Sequence, residues 1–266
     1  MYVAPVGTDV VELSVAAGVA TITLNRPDAG NSIDLAVAQG LCAAATDCTE
    51  RRDVRAILIR GAGRNFCVGG DLKSFVPYGD DMGRHLKDVT TALHPAISRL
   101  ARADAPVIAA VNGSAAGAGF SLVCSADLVV AAESARFLMA YTKIGLSPDG
   151  SGTWFLPRLV GARRAAELTL LNRMLSASEA LEWGIVTRVV GDDALKAEAT
   201  ALARAIADGP REGQAASKRL LRASLDNTLE TQMELETLSL SDCANSVDGK
   251  EGIAAFLEKR PPHFGG

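Results

Sequence analysis

Short runs of consecutive apolar residues, rich in valine and isoleucine, recur along the first 190 residues of the chain. Runs of this kind predict buried β-strands where glycine or proline bounds them. We expect strands at 10–15 and 19–24, paired around Ala16-Ala17-Gly18, and at 54–60, 107–111, 128–132 and 184–190. The stretches between them are compatible with helices, which we expect at 35–46, 162–171 and 177–183. This alternation is typical of an α/β fold with largely parallel strand pairing.

The strand pattern stops after about residue 192. The remaining residues predict successive helices, divided by Gly209-Pro210 and Asp226-Asn227, at 194–207, 214–223 and 228–240. We therefore predict an α/β body over residues 1–192 and a helical tail over residues 193–266.

The most apolar stretch, residues 105–123, has the length of a membrane span and contains a GxxxG pattern. However, Pro106 and Asn112 interrupt it, and its glycines cluster in the middle. A short buried strand, a glycine-rich turn and a helix fit these residues better. We therefore expect no association with a membrane.

Composition and charge narrow the function classes. Of 266 residues, 48% are hydrophobic and 22% charged, which is typical of a folded chain. The net charge of −4 argues against a nucleic-acid partner, which normally requires a basic face. Five scattered cysteines and three histidines form no CxxC pair or ligand cluster, so we expect neither a disulfide framework nor a metal site. The first residues lack the pattern of a signal peptide, and a reducing cytoplasm is the simplest compartment.

The chain does not match the motifs of common nucleotide-binding and nucleophilic sites. Residues 61–66 have Phe66 where a dinucleotide fingerprint needs its third glycine. Residues 145–149 end in aspartate where a nucleophile elbow needs glycine. His94 precedes Pro95 on a polar helix face, and we interpret it as a surface or capping histidine.

Two segments, residues 65–73 and 112–120, each place glycines directly after a predicted strand and before a predicted helix. Glycine and alanine allow the backbone to run close to a ligand, and helix N-termini present unpaired N–H groups. Two such termini directed at one point would bind a developing oxyanion. For either segment alone, tight turning and close packing are the simpler explanation.

Together with four further segments in the right order, the two glycine turns resemble the enoyl-CoA hydratase/isomerase (crotonase) superfamily. The resemblance covers almost the whole chain, and its segments are 25–32, 60–72, 106–137, 144–148, 156–161 and 251–260. It implies a spiral of ββα repeats with a C-terminal helical region that forms trimers, often stacked as hexamers. It also implies an acyl-CoA thioester as the ligand, with no separate cofactor because coenzyme A is part of the substrate.

By position, the resemblance implies that the backbone N–H groups of Val68 and Ala118 form an oxyanion hole. Further substrate contacts would come from the two turns and the segment that follows the second: Gly69, Asp71, Leu72, Gly117 and Tyr141.

The resemblance also implies contacts with the nucleotide part of coenzyme A. Arg26 and Lys73 would meet its phosphates. Phe256 and Lys259 would complete the pocket from a neighbouring subunit. Ordinary surface charges and a packing aromatic side chain are equally good explanations of these four residues.

The chain departs from the hydratases of this family at the two positions where they carry catalytic glutamates. Ser121 and Tyr141 stand there, and neither a hydroxyl nor a phenol acts as a carboxylate base near neutral pH. Asp149 instead stands where many hydratases have glycine and where the isomerases, including the ring-epoxide isomerases of phenylacetate breakdown, carry an acid.

One base suffices to shift a double bond, because the same acid removes the proton α to the thioester and returns it at the γ-carbon. The resemblance therefore implies conversion of 3-enoyl-CoA to 2-enoyl-CoA by Asp149. Leu146, Trp154 and Phe155 predict an apolar pocket around it, in which burial disfavours the charged carboxylate. Three alternatives stay open: Asp149 as a cap of the turn after Pro148, a hydratase that uses an unidentified residue, and a non-catalytic acyl-CoA binder.

Overall fold

The computed structural model describes residues 9–265. Residues 1–8, on which the expectation about a signal peptide partly rests, lie outside the described residues. Six strands form one sheet, in the order β1-β2-β3-β4-β6-β9, and three short strands form a second, in the order β5-β7-β8. The strands are β1 (Val11–Ala16), β2 (Val19–Leu24), β3 (Ala56–Gly61), β4 (Val107–Val111), β5 (Ser114–Ala116), β6 (Leu128–Ala132), β7 (Arg136–Leu138), β8 (Leu175–Ser176) and β9 (Arg188–Val190).

The larger sheet is parallel except for its first hairpin, as the sequence predicts. β1 and β2 pair antiparallel around Ala17 and Gly18, both with positive φ, the conformation that two-residue hairpins favour. The strand expected at 184–190 is wrong over its first half. Gly184 has a φ of +79°, and the residues after it close the turn that follows a helix, so only β9 pairs with the sheet.

The described residues contain eleven α-helices besides short 3-10 turns. They are α1 (Leu35–Glu50), α2 (Leu72–Phe75), α3 (Met82–Arg102), α4 (Ala118–Ser125), α5 (Gly152–Val160), α6 (Ala162–Leu170), α7 (Ala177–Glu182), α8 (Leu195–Ala207), α9 (Arg211–Ala223), α10 (Leu229–Asn245) and α11 (Val247–Glu258). No helix within residues 9–265 is long and apolar enough to cross a membrane.

Helices cover both faces of the larger sheet. Successive side chains of a strand point to opposite faces. Val107 and Ala109 of β4 therefore face the cluster that contains α1 and α3, whereas Ile108 and Ala110 face α8. α8 begins after the predicted boundary at residue 192 but packs on the sheet, and that boundary stays a prediction. The mixed α/β architecture with a helical C-terminal region is confirmed.

The last two helices are far less covered than the rest. α10 has no buried residue, and α11 buries only Asp248 and Ala255. Their exposed apolar side chains include Leu229, Met233, Leu238, Leu240, Ile253, Phe256 and Leu257.

Candidate active site

A cavity of about 370 Å³ lies between the two glycine turns, α3 and residues 140–149. Its apolar surface comes mainly from α2, α3 and the residue two positions before α1: Leu72, Phe75, Leu86, Val89, Leu93 and Ile33. Gly70, Ala118, Tyr141 and Asp149 also line it. The structure thus brings the two predicted turns and the predicted acid to one space.

The first turn presents a different N–H group from the one expected. The N–H of Val68 donates to the carbonyl of Gly30 at 3.1 Å, so the predicted role of Val68 in an oxyanion hole does not fit the structure. The N–H of Gly70 has no acceptor within residues 9–265, and Gly70 lines the cavity. Two hydrogen bonds hold the turn in this conformation. The N–H of Ile33 donates to the carbonyl of Gly69 at 2.8 Å, and the N–H of Asp71 donates to the carbonyl of Ile33 at 2.9 Å.

Arg26 anchors the first turn from behind. Its guanidinium lies 3.0 Å from the carboxylate of Asp34 and 2.9 Å from that of Asp71. Although burial acts in the opposite direction, hydrogen bonds from Arg26 and from the N–H of Ser74 hold the pKa of Asp71 below its usual range. Arg26 and the exposed Lys73 do not line the cavity, and their predicted contacts with phosphates stay predictions.

The second turn ends in the N-terminus of α4, a helix whose residues are all buried. Gly117 is the N-cap, with a φ of +51°, and Ala118 is the first helical residue. The N–H of Ala118 has no acceptor in the described part of the chain, as expected of a first helical residue.

The two turns are packed against each other through glycines. A Cβ on Gly117 would lie 3.5 Å from the Cα of Gly69. A Cβ on Gly119 would lie only 2.2 Å from the carbonyl oxygen of Cys67. The glycines therefore allow close packing of the two turns, and that packing brings Gly70 and Ala118 to the same cavity.

Asp149 stands on the opposite wall, with 28% of its side chain exposed. Its Oδ1 accepts a hydrogen bond of 2.5 Å from the hydroxyl of Tyr141. Burial and the adjacent carboxylate raise the pKa of Tyr141 far above neutrality, so it stays a phenol and donates. The carboxylate accepts no backbone N–H within residues 9–265, so Asp149 does not act as a helix or turn cap through its side chain.

Ser121 is fully buried on α4, with its Oγ 3.4 Å from the hydroxyl of Tyr141. The turn that begins α5 packs directly on it. A Cβ on Gly152 would lie 2.6 Å from the Oγ of Ser121, and one on Gly150 would lie 3.2 Å from its Cβ. The two glycines therefore let the start of α5 pack closely on Ser121.

His94 is at the surface, as predicted for a surface or capping histidine, but it also lies beside Asp149. Its Nε2 accepts a hydrogen bond of 3.3 Å from the N–H of Gly150 and lies 3.9 Å from Oδ2 of Asp149. The side chain is 51% exposed and lines a second cavity of about 770 Å³ on the far side of Asp149. Nothing in the sequence marks this contact, because it depends on how α3 packs beside the segment before α5.

The expected pocket around Asp149 is correct in one residue of three. Leu146 lines the first cavity. Trp154 and Phe155 line the second, because α5 carries them to the far side, where Arg158 and Arg222 stack on their rings.

The remaining predicted residues lie away from this cavity. Phe256 is 83% exposed near the end of α11, and Lys259 caps that helix in a left-handed conformation. Within residues 9–265, no group of three or more histidine, cysteine or acidic residues is arranged to hold a metal ion.

Comparisons with known proteins identify the fold and the family. Residues 14–266 match the profile of the enoyl-CoA hydratase/isomerase family. The chain is 44% identical over 257 residues to the 1,2-epoxyphenylacetyl-CoA isomerase of Escherichia coli K12, covering 94% of this chain and 95% of that protein. It is 40% identical to a probable enoyl-CoA hydratase of Rhodobacter capsulatus, covering 96% and 98%.

Comparison with solved structures indicates the same family. The crystal structure of an enoyl-CoA hydratase from Polaromonas sp. JS666 matches with a TM-score of 0.91 at 32% identity, over 96% of this chain and 99% of that one. A profile match over nearly the whole length and close relatives of equal length give one conclusion. The chain belongs to the enoyl-CoA hydratase/isomerase family and has the crotonase fold.

Proposed function

We propose that the protein is an acyl-CoA double-bond isomerase that converts 3-enoyl-CoA to 2-enoyl-CoA with Asp149 as its acid and base. One observation carries the proposal: a single carboxylate faces the cavity into which the free N–H groups of Gly70 and Ala118 open. The 44% identity to an isomerase supports the same reaction class.

The chemistry follows from this arrangement. The N–H groups of Gly70 and Ala118 bind the thioester oxygen, and Asp149 removes a proton from the α-carbon. The negative charge that develops on the oxygen is stabilised by both donors, each contributing about 3 kcal/mol at sites of this kind. Asp149 then returns the proton at the γ-carbon, and the double bond moves into conjugation with the thioester. These steps use no cofactor beyond the coenzyme A of the substrate.

A hydratase is the second candidate, and it has some support. The relative from Rhodobacter capsulatus is a probable enoyl-CoA hydratase, and His94 places a second titratable group near Asp149. Against this, Ser121 carries a hydroxyl in place of a carboxylate, and Tyr141 stays protonated. His94 also lines the second cavity and not the one that receives the acyl group.

The test is the Asp149→Asn variant, assayed with linear and ring-bearing 3-enoyl-CoA esters. We expect turnover to fall about 10³-fold, because general acid–base catalysis is lost, while the dissociation constant of the ester stays the same. Asp226→Asn, far less buried and outside the first cavity, is the matched control and keeps its turnover. Full turnover in Asp149→Asn would contradict the proposal.

The wild-type protein distinguishes the other candidates. Formation of 3-hydroxyacyl-CoA from 2-enoyl-CoA, with loss of the conjugated absorbance, would identify a hydratase. Absence of α-proton exchange from a bound ester in D₂O would identify a non-catalytic binder. Mass spectrometry of the esters reports both outcomes.

We also propose that α10 and α11 form the contact between subunits in a trimer or a dimer of trimers. Their exposed apolar side chains support self-association, because such a concentration is unusual on a monomer. In that assembly Phe256 and Lys259 would meet the coenzyme A bound to a neighbour. Light scattering of the purified protein and of a Phe256→Asp variant tests the assembly, and a monomeric wild type would contradict it.

A further inference from the structure

Asp149 lines the first cavity, here called the acyl cavity, and its neighbours Gly150 and His94 line the second. The acyl cavity holds the free N–H groups of Gly70 and Ala118, and the second cavity holds His94. The proposed reaction takes place in the acyl cavity alone and gives His94 no role. His94 nevertheless lies 3.9 Å from Oδ2 of Asp149.

The two oxygens of the Asp149 carboxylate are not equivalent. Oδ1 accepts the 2.5 Å hydrogen bond from Tyr141, whose phenol keeps its proton. A proton that Asp149 takes from substrate therefore resides on Oδ2, the oxygen that faces His94.

His94 lies close enough to accept that proton after a small movement. Its Nε2 accepts the N–H of Gly150 at 3.3 Å, which uses the single lone pair of this nitrogen, and the neutral ring then has its proton on Nδ1. Transfer requires the ring to give up this long hydrogen bond and to turn its lone pair toward Oδ2, with a shift of about 1 Å that brings the two atoms to hydrogen-bond distance. The ring is half exposed to the second cavity, from which water reaches it.

Cationic side chains predominate in the lining of the second cavity, which includes Arg102, Lys218, Arg219 and Arg222. Lys218 and Arg222 both pair with Asp127, and Arg219 pairs with Asp104. Within residues 9–265, the carboxylate of Asp149 is the acidic group that lies within 4 Å of His94.

We propose that His94 exchanges the catalytic proton of Asp149 with solvent. The proton on Oδ2 passes to Nε2, which leaves a carboxylate and an imidazolium ion. The imidazolium exchanges its N–H proton with water and returns one proton to Oδ2, so that no charge or atom is gained overall. The proposal rests on the proposed isomerase function, because it assigns the fate of the proton that Asp149 removes.

The experiment measures deuterium in the first 2-enoyl-CoA formed from unlabelled 3-enoyl-CoA in D₂O. We expect wild-type product to carry solvent deuterium at the γ-carbon. In His94→Gln, whose amide oxygen can still accept the N–H of Gly150, we expect roughly tenfold less deuterium per turnover, with turnover itself changed by only a few-fold. Imidazole added to His94→Ala should restore the deuterium content. His263→Gln, an exposed histidine near the C-terminus, should match the wild type.

Deuterium per turnover is a ratio within the product, so it does not depend on how much of a variant is folded. Equal deuterium content in wild type and His94→Gln would overturn the relay, since water would then reach Asp149 directly. Wild-type product without deuterium would also overturn it. Neither result affects the isomerase proposal, which fails only if Asp149→Asn keeps its turnover.

Discussion

The two walls of the acyl cavity are built from different parts of the chain. One consists of backbone: the turns that carry Gly70 and Ala118 press against each other through glycines, and N–H groups face the cavity. The other consists of side chains: Asp149 is held by Tyr141 and neighboured by His94.

The difference determines how each wall responds to substitution. The backbone wall does not depend on which side chain its donors carry, but it tolerates no added atom where the turns touch. The side-chain wall has room for conservative changes, and the loss of turnover there depends on which group is replaced. Four predictions follow from this contrast.

The largest effect is expected from Gly119→Ala. The added Cβ would lie 2.2 Å from the carbonyl oxygen of Cys67, so the two turns must separate. We expect the free energy of unfolding to fall by about 3 kcal/mol or more, measured by urea denaturation. Gly83→Ala is the control: nothing lies within 4 Å of its Cβ, and alanine favours a helix, so stability should rise by about 0.5 kcal/mol. Equal stability of the two variants would contradict the close packing.

Ala118→Pro removes one N–H of the backbone wall. Proline is well tolerated at the first helical position, so α4 should persist. We expect turnover to fall by about 10²–10³-fold, the usual loss for one oxyanion donor. Ala118→Ser keeps the N–H and should stay within a few-fold of wild type. If both variants lost turnover to a similar extent, the cause would be crowding of the cavity by the larger side chain and not loss of the N–H.

Tyr141→Phe alters the side-chain wall. Asp149 loses the hydroxyl that orients its carboxylate, and hydrogen bonds to charged groups contribute about 1.5–3 kcal/mol. We expect turnover to fall by roughly tenfold, with the fold unchanged. Tyr78→Phe, which removes a hydroxyl away from Asp149, should have no effect on steady-state rates. Wild-type turnover in Tyr141→Phe would show that Asp149 needs no such support.

The smallest effect is expected behind the backbone wall, from Asp71→Asn. Asparagine still caps α2 but cannot form an ion pair with Arg26. The free energy of unfolding should therefore fall by about 1 kcal/mol at pH 7. Because folding lowers the pKa of Asp71, its contribution is complete above the unfolded value of about 3.9 and is lost as the pH falls through the folded value. The stability difference between variant and wild type should therefore shrink below pH 4. A difference independent of pH would contradict this assignment.

Much of the fold could be predicted from the sequence. β4 and β6 match their predicted bounds residue for residue, because a strand buried on both faces is a continuous apolar run. The second sheet was missed, because β5, β7 and β8 have only two or three residues each and are too short to show alternation.

The candidate site could likewise be predicted only in part. Resemblance to relatives led to Asp149 and to both turns. It could not tell which N–H of the first turn is free, because Val68 is occupied by a carbonyl from Gly30, a residue distant in sequence. The surface position of His94 could be predicted, but its contact with Asp149 could not, because that contact exists only in the folded chain.

The packing of Ser121 against Gly150 and Gly152 has a consequence for how this chain could evolve or be redesigned. A Cβ added at residue 152 would press on the Oγ of Ser121, so the strain would fall on α4 and on the segment that carries Asp149. Substitution of either glycine would thus reposition the carboxylate without altering it. Gly150 and Gly152 are therefore the places from which a designer could adjust the geometry of the cavity while leaving every polar group in it intact.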